Sequence, residues 1–276
     1  QNSSWLSDYA VYLVLKTIHD ERPWPELKQS FVHREHTAMK NICDTNREAI
    51  EHIKIIQFLF DQQWMALKQY ANESRIQLFG DMPIYIALDS ADAWAHPEIL
   101  LIDDDGRPSH VSGVPPDSFS ADGQLWGNPL YDWEFHRSSG YQWWIERVRH
   151  AMNQLDLVRI DHFRGFESFW SVRFGAETAR EGEWVPGPRD SLFDSMRTAL
   201  GNLPIVAEDL GVITPEVDAL RHSHNIPGMK VLQFEVGDPA FELSEVEENS
   251  VCYTGTHDND TTVGWFNGGN DDTRSE

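Results

Sequence analysis

Apolar residues recur at helical spacing between residues 44 and 70, at Ile50, Ile53, Ile56, Phe60, Trp64 and Leu67. This predicts a long amphipathic helix with Asp44 or Thr45 as its cap. The run "IQLFGDMPIYI" (76–86) then reads as a buried strand, and residues 103–133, rich in Gly, Pro, Asp and Ser, as a long loop. A helix is predicted at 141–155, with Tyr141, Trp144, Ile145, Val148, Met152 and Leu155 on one face. Next come a strand at 156–162, a helix near 190–200 closed by Gly201, and a strand at 203–209. Thr214 and Pro215 mark the start of a helix over 214–223, as cap and first helical residue. Two further strands are predicted at 229–236 and 250–258. No internal repeat or low-complexity linker interrupts the pattern.

Strand, helix and strand in steady alternation imply parallel strands joined by right-handed crossovers. Five such strands fit either an open doubly wound sheet or a (β/α)8 barrel. The polar residues decide between the two. Asp81, Asp161, Glu208 and Asp258 lie within or at the C-terminal ends of four different predicted strands. In a barrel those ends converge on one mouth, whereas an open sheet spreads them along an edge. No Gly-rich phosphate loop follows any strand. The expected fold class is therefore α/β, a (β/α)8 barrel.

Composition narrows the partners. The 276 residues are 40% hydrophobic and carry 22 Lys plus Arg against 45 Asp plus Glu, a net charge of −23. A surface that acidic repels phosphate backbones and anionic lipid, so nucleic acid and membrane are not expected partners. No apolar run approaches the ~20 residues of a membrane helix. Cys43 and Cys252 have no metal or redox spacing and fit a reducing compartment. The chain does not begin with Met and stops in polar sequence, so it reads as a fragment.

The segment "VRIDHFRGF" (158–166) sets Arg159, Asp161 and His162 in an otherwise apolar run. On a strand, residues two apart share a face, so Arg159 and Asp161 aim the same way and the guanidinium is expected to hold the carboxylate ionised. The bland alternative is an ion pair that only fastens the strand. Asp161, Glu208 and Asp258 follow one another at intervals of roughly 50 residues, as strands of one barrel require. Crowded carboxylates raise one another's pKa, and glycosidic cleavage uses that conflict: one stays ionised as nucleophile, another stays protonated as acid. Period-two alternation turns either Glu208 or Asp209 inward and leaves that choice open. A metal-dependent hydrolase built on His162, His257, Asp161, Asp258 and the "HSH" at 222–224 is disfavoured, because His222 and His224 sit near a helix end. No metal or cofactor is expected. The loop 114–133 combines Phe119, Trp126, Tyr131 and Trp133 with Asp117, Gln124 and Asn128, the mixture that stacks on sugar rings and bonds their hydroxyls. Tyr131 and Trp133 are expected to pack the loop, and Trp126 to bind.

The stretches "GDMPIYI", "GVPPDSFSADGQLWGNPLYDW", "VRIDHFRGFESFW", "IVAEDLGVITPEV", "PGMKVLQF" and "YTGTHDNDTTVGW" resemble the amylomaltases, the 4-α-glucanotransferases or disproportionating enzymes. The resemblance runs from about residue 5 to 266. It implies an α-amylase superfamily (β/α)8 barrel with subdomain insertions, incomplete here because the first strands and the closing strand are missing. Residues 1–75 would be a helical part and insertion, and 76–276 the central barrel strands and loops. It implies retaining transfer of α-1,4-glucan segments between malto-oligosaccharides derived from starch or glycogen, in the cytoplasm or the plastid stroma. A retaining hydrolase and a non-catalytic glucan-binding relative are the alternatives. By motif, Asp161 would be the nucleophile, Glu208 the general acid/base and Asp258 the transition-state stabiliser. Arg159, His257, Asp81 and His162 would line the site. Asp117, Phe119, Gln124, Trp126 and Asn128 would belong to a glucan-facing lid over 114–128, where Ser118 replaces the Tyr often found in the family. Phe234 would meet the acceptor.

Overall fold

The apolar runs predicted as strands form a parallel set, each shorter than its hydrophobic pattern. A computed structural model describes residues 3–117, 120–236, 241, 242, 244 and 246–268. Its strands are β1 (Phe79–Met82), β2 (His110–Val114), β3 (Gln124–Pro129), β4 (Leu157–Ile160), β5 (Ser168–Arg173), β6 (Gly182–Pro186), β7 (Ile205–Ala207), β8 (Gly228–Val231) and β9 (Ser250–Tyr253). β1, β4 and β7 are neighbours in one parallel sheet, and β8 pairs with β9 in parallel. The N–H of Ala207 donates to the carbonyl of Pro227 at 2.8 Å, which sets β8 beside β7. The rings of Phe79 on β1 and Tyr253 on β9 lie 6.5 Å apart, so the five strands curl until first and last face each other. The fold class is α/β.

The helices Gln142–Gln154, Asp190–Leu200 and Pro215–Ser223 precede β4, β7 and β8 respectively. Their apolar faces bury Trp144, Val148, Leu192, Phe193, Met196, Val217 and Leu220 in one cluster with Val158, Ile160 and Ile205. Trp144 is fully buried and meets the rings of Tyr131, Trp133 and Phe166 within 5.3–6.0 Å. Its truncation to Ala would cost about 3–5 kcal/mol. Tyr131 is buried and its hydroxyl donates to the carbonyl of Ile84 at 2.8 Å, in keeping with its expected packing role. A second cluster gathers Ala10, Val14, Leu15, Trp24, Ile42 and Ile50 with Trp94.

Several boundaries differ from the sequence pattern. The strand expected at 76–86 occupies only Phe79–Met82, because Pro83 has no N–H to continue the ladder. The strands expected at 156–162, 203–209, 229–236 and 250–258 stop at Ile160, Ala207, Val231 and Tyr253, where polar residues or the helical turn Leu232–Glu235 begin. Asp44 and Thr45 do not cap the long helix. They end the preceding helix, His36–Thr45, and the long helix Arg47–Glu73 starts after Asn46, whose side chain bonds back to the Ile42 carbonyl at 3.1 Å. Ile56, Phe60 and Leu67 of its predicted apolar face are about half exposed, at 48%, 52% and 52%. Among the described residues no helix is long and apolar enough to cross a membrane.

The segment 103–133 is not simply a loop. It contributes β2 and β3 to an antiparallel sheet in the order β3-β2-β5-β6. Gly123 and Gly127 have φ of +67° and +78°, left-handed conformations open to glycine, and they read as loop composition although Gly123 immediately precedes β3 and Gly127 lies within it. A bulge between Val111 and Gly113 shifts the β2–β3 register.

Candidate active site

The parallel register builds the site. Asp81 on β1 and Arg159 on β4 are Cα partners, and Arg159 is buried at 8% exposure. Its Nη1 donates to Asp81 Oδ2 at 2.7 Å and its Nη2 to Asp161 Oδ1 at 3.0 Å. One planar cation thus forks two carboxylates, a geometry that suits arginine and not lysine. Asp161 sits one residue past β4, its N–H donating to the Met82 carbonyl at 3.0 Å.

The electrostatics correct one expectation. Arg159 does favour ionised Asp161, but burial together with the charges of Asp81 and Asp258 outweighs it, and the Asp161 carboxyl is pushed above the usual carboxylate range.

Glu208 follows β7, the next strand in the sheet. Its Oε2 accepts from the N–H of His162 and its Oε1 from the N–H of Leu210, both at 2.8 Å. Burial, with Asp161 nearby, pushes its carboxyl up to about 7 despite those two bonds. Asp209 points elsewhere. It accepts from the N–H of Met229 at 2.8 Å and pairs with the buried Arg221 at 3.1 Å, which also holds Glu247 at 2.7 Å. Of the two acidic neighbours, Glu208 is the one whose carboxyl feels the Asp161 charge.

The segment after β9 completes the group. His257 Nε2 lies 3.9 Å from Asp81 Oδ2 and 3.5 Å from Asp258 Oδ1. The turn is pinned by Asn259 Oδ1, which accepts from both the N–H and the hydroxyl of Thr256 at 2.9 Å. Asp258 itself is largely exposed. Phe79, Asp81, Arg159, Tyr253, Thr256 and His257 line a cleft of about 280 Å³ between β1 and β9.

On the other side stands the antiparallel sheet. Trp126 on β3 meets the His162 ring edge-to-face, with centroids 4.7 Å apart at 88°. Its Nε1 donates to Gln124 Oε1 at 3.1 Å, and Tyr85 lies 6.2 Å from it. Tyr85 was not singled out from sequence, since its apolar run gave it no polar signal. His162 is buried and its imidazole is pushed down to about 3, so it is neutral. Asn128 is engaged with backbone, donating to the Ile86 carbonyl at 3.1 Å. Asp117 accepts from the Ser120 N–H at 2.8 Å. Phe119 lies outside the described residues. Phe234 is exposed on the turn Leu232–Glu235, which Gln233 ties to the Asp260 carbonyl at 3.0 Å. His222 and His224 pair with Glu247 and Asp190, away from these groups.

The structure thus assembles Asp81, Arg159, Asp161, His162, Glu208, His257, Asp258 and Trp126 into one connected group. Two carboxyls, one next to a fixed cation and one buried to a near-neutral pKa, form the kind of pair that can divide nucleophilic attack from proton transfer.

The family profile described as 4-alpha-glucanotransferase matches residues 1–276. A 4-alpha-glucanotransferase of Synechocystis sp. is 51% identical over 270 residues, covering 96% of this chain and 54% of that protein. The chloroplastic/amyloplastic 4-alpha-glucanotransferase of Oryza sativa is 44% identical over 267 residues, covering 96% and 45%. A structure of amylomaltase from Streptococcus agalactiae in complex with acarbose superposes with a TM-score of 0.94 at 37% identity, covering 100% of this chain and 57% of that one. The chain spans about half the length of the relatives it matches.

Proposed function

We propose, because the chain belongs to the 4-alpha-glucanotransferase family, that the complete protein transfers α-1,4-glucan segments between malto-oligosaccharides by a retaining double displacement. Asp161 attacks the anomeric carbon while Glu208 gives its proton to the departing glycosidic oxygen, leaving a glucosyl ester on Asp161. Glu208, now ionised, takes the proton of an acceptor 4-hydroxyl, and that oxygen displaces Asp161 with net retention. Asp258 stabilises the oxocarbenium-like charge, and Arg159 orients Asp161. Asp81, His257 and His162 line the mouth, Trp126 stacks on glucan, Asp117, Phe119, Gln124 and Asn128 bind glucan with it, and Phe234 meets the acceptor.

The observation that carries this reading is the Glu208 carboxyl. It is buried to about pKa 7 near Asp161 at the end of the neighbouring strand, which leaves a substantial share of the acid protonated next to a nucleophile at neutral pH. The five parallel strands are read as consecutive strands of an α-amylase-type (β/α)8 barrel, incomplete in this chain, with the antiparallel sheet as a subdomain insertion. Residues 1–75 form the helical part and 76–276 the barrel part, although Trp94 packs in the helical cluster. The substrates are glucans derived from starch or glycogen, an assignment supported by the acarbose complex of the Streptococcus agalactiae amylomaltase. The enzyme acts in the cytoplasm or the plastid stroma.

Maltotriose tests the proposal on the full-length protein. Glucose accompanied by a ladder of longer oligosaccharides is expected. Glucose and maltose without longer products would make it a hydrolase, and no turnover would make it a glucan-binding relative.

A further inference from the structure

Residue 208 is held by three residues at and just past the end of β4. Its N–H donates to the Ile160 carbonyl at 2.9 Å, its carbonyl accepts from the Phe163 N–H at 3.1 Å, and its Oε2 accepts from the His162 N–H at 2.8 Å. The last bond needs a rare backbone. His162 has φ 51° and ψ 50°, the left-handed region, which costs a non-glycine residue roughly 1–2 kcal/mol. Such a conformation persists where the surroundings over-determine it.

The backbone bonds on either side, from Asp161 N–H to the Met82 carbonyl and from Phe163 N–H to the Glu208 carbonyl, supply that determination beside the packed ring of His162. The ring is wedged edge-to-face beneath Trp126 and against Gly165, where an added Cβ would sit 3.1 Å from His162 Cδ2 and 2.8 Å from Ile84 Cδ1. Its buried Nε2 has no hydrogen-bond partner among the described residues, so packing alone fixes it.

We propose that His162 is a positioning residue for the transfer reaction: its left-handed backbone aims the N–H of the 161–162 peptide at Glu208 and thereby sets the separation of the Asp161 and Glu208 carboxyls. The inference rests on the roles given to those two carboxyls above. One peptide unit and one hydrogen bond connect the nucleophile's backbone to the acid/base. If residue 162 relaxed to an extended conformation, the N–H would turn away and that link would break. Glu208 is faced by Asp161 and Arg159 from the end of β4 and by the N–H groups of His162 and Leu210. Losing one N–H donor disfavours its ionised form.

Three variants of the complete protein separate backbone from ring: His162→Asn and His162→Gly, which tolerate the left-handed turn, and His162→Val, whose branched side chain resists it. Maltotriose transfer is followed across pH. For His162→Val, kcat should fall by roughly tenfold or more with KM little changed. Its alkaline limb should rise by about one pH unit. His162→Asn and His162→Gly should keep the limb at its wild-type pH, and Asn should recover most of the kcat lost in Val. A displaced limb in Asn or Gly, or wild-type kcat and limb in Val, overturns the proposal. If the Val variant does not fold, the limb positions of Asn and Gly alone decide it in the same sense. Glu208→Gln is the separate control, because a limb that survives it refutes Glu208 as the acid and with it the proposed function. A limb that vanishes in Glu208→Gln but ignores His162→Val refutes the role of His162 alone.

Discussion

Asp81 and Arg159 are paired twice, once as Cα partners of two parallel strands and once through a 2.7 Å hydrogen bond between their side chains. The guanidinium is thereby fixed before it reaches Asp161, and the nucleophile inherits its orientation from strand pairing.

Arg159→Lys is therefore far from conservative. A lysine reaches one carboxylate but cannot fork two. Turnover should fall steeply, and the acid limb of the pH–rate profile should move to higher pH, because burial, Asp81 and Asp258 already push Asp161 upward and a lysine taken up by Asp81 opposes them less than the forked guanidinium. A lower melting temperature with the limb unmoved would mean that the pair only fastens the strands.

Replacing the nucleophile gives the sharpest loss. Asp161→Asn should cut turnover by about 10⁴-fold or more while leaving the melt unchanged, since an amide cannot form the glucosyl ester. Near-normal rates in a folded variant would remove Asp161 from that role.

Glu208 and Asp209 should part company in the pH profile. With its carboxyl at about 7, Glu208 sets an alkaline limb near neutral pH, since the acid must carry its proton. Asp209→Asn loosens the Arg221 and Met229 contacts and should lower the melting temperature without moving that limb. A limb that follows Asp209 would reverse the assignment.

Acid should destabilise the fold through its buried histidines. His136 is fully buried among Tyr131, Trp133 and Trp143, and burial pushes its imidazole from 6.5 down to about 4. A depressed folded pKa means that the unfolded chain takes up the proton first. The stabilisation is complete above pH 6.5 and is lost as pH falls toward 4, by roughly 3 kcal/mol. His162 adds a loss of the same sign, extending to about pH 3. Urea titrations at pH 7 and pH 4 should show His136→Phe losing that much less stability than wild type between the two. An equal loss would place the acid sensitivity elsewhere.

The mouth was legible in the sequence because Asp81, Arg159, Asp161 and Glu208 interrupt apolar runs at the ends of strands, where burying a charge demands a reason. Strand lengths were not, since each stops where a long-range partner takes over. The Ile84 carbonyl is satisfied by the Tyr131 hydroxyl and by Arg147, not by a ladder. The antiparallel sheet was hidden by Gly123, Gly127 and Pro129, which read locally as loop. The sign of the Asp161 shift was missed because two residues on one strand reveal their mutual attraction but not the depth at which they sit. Strand alternation left Glu208 and Asp209 open and the family resemblance favoured Glu208; the physical reason, Arg221 arriving from a helix to hold Asp209, was not readable from the chain.

The opposition of Asp81 to Arg159 has a bearing on which changes of chain length the protein can absorb. Inserting residues into the turns on either side of β1 leaves the pairing of Gly80 with Val158 and of Met82 with Ile160 untouched. Deleting a single residue within β1 slides Gly80 or Met82 opposite Arg159 and turns the carboxylate to the other face of the sheet. Length variation is thus permitted around the strand and forbidden inside it, and a library of one-residue deletions scanned along 70–90 should show a sharp trough of inactive variants over Phe79–Met82.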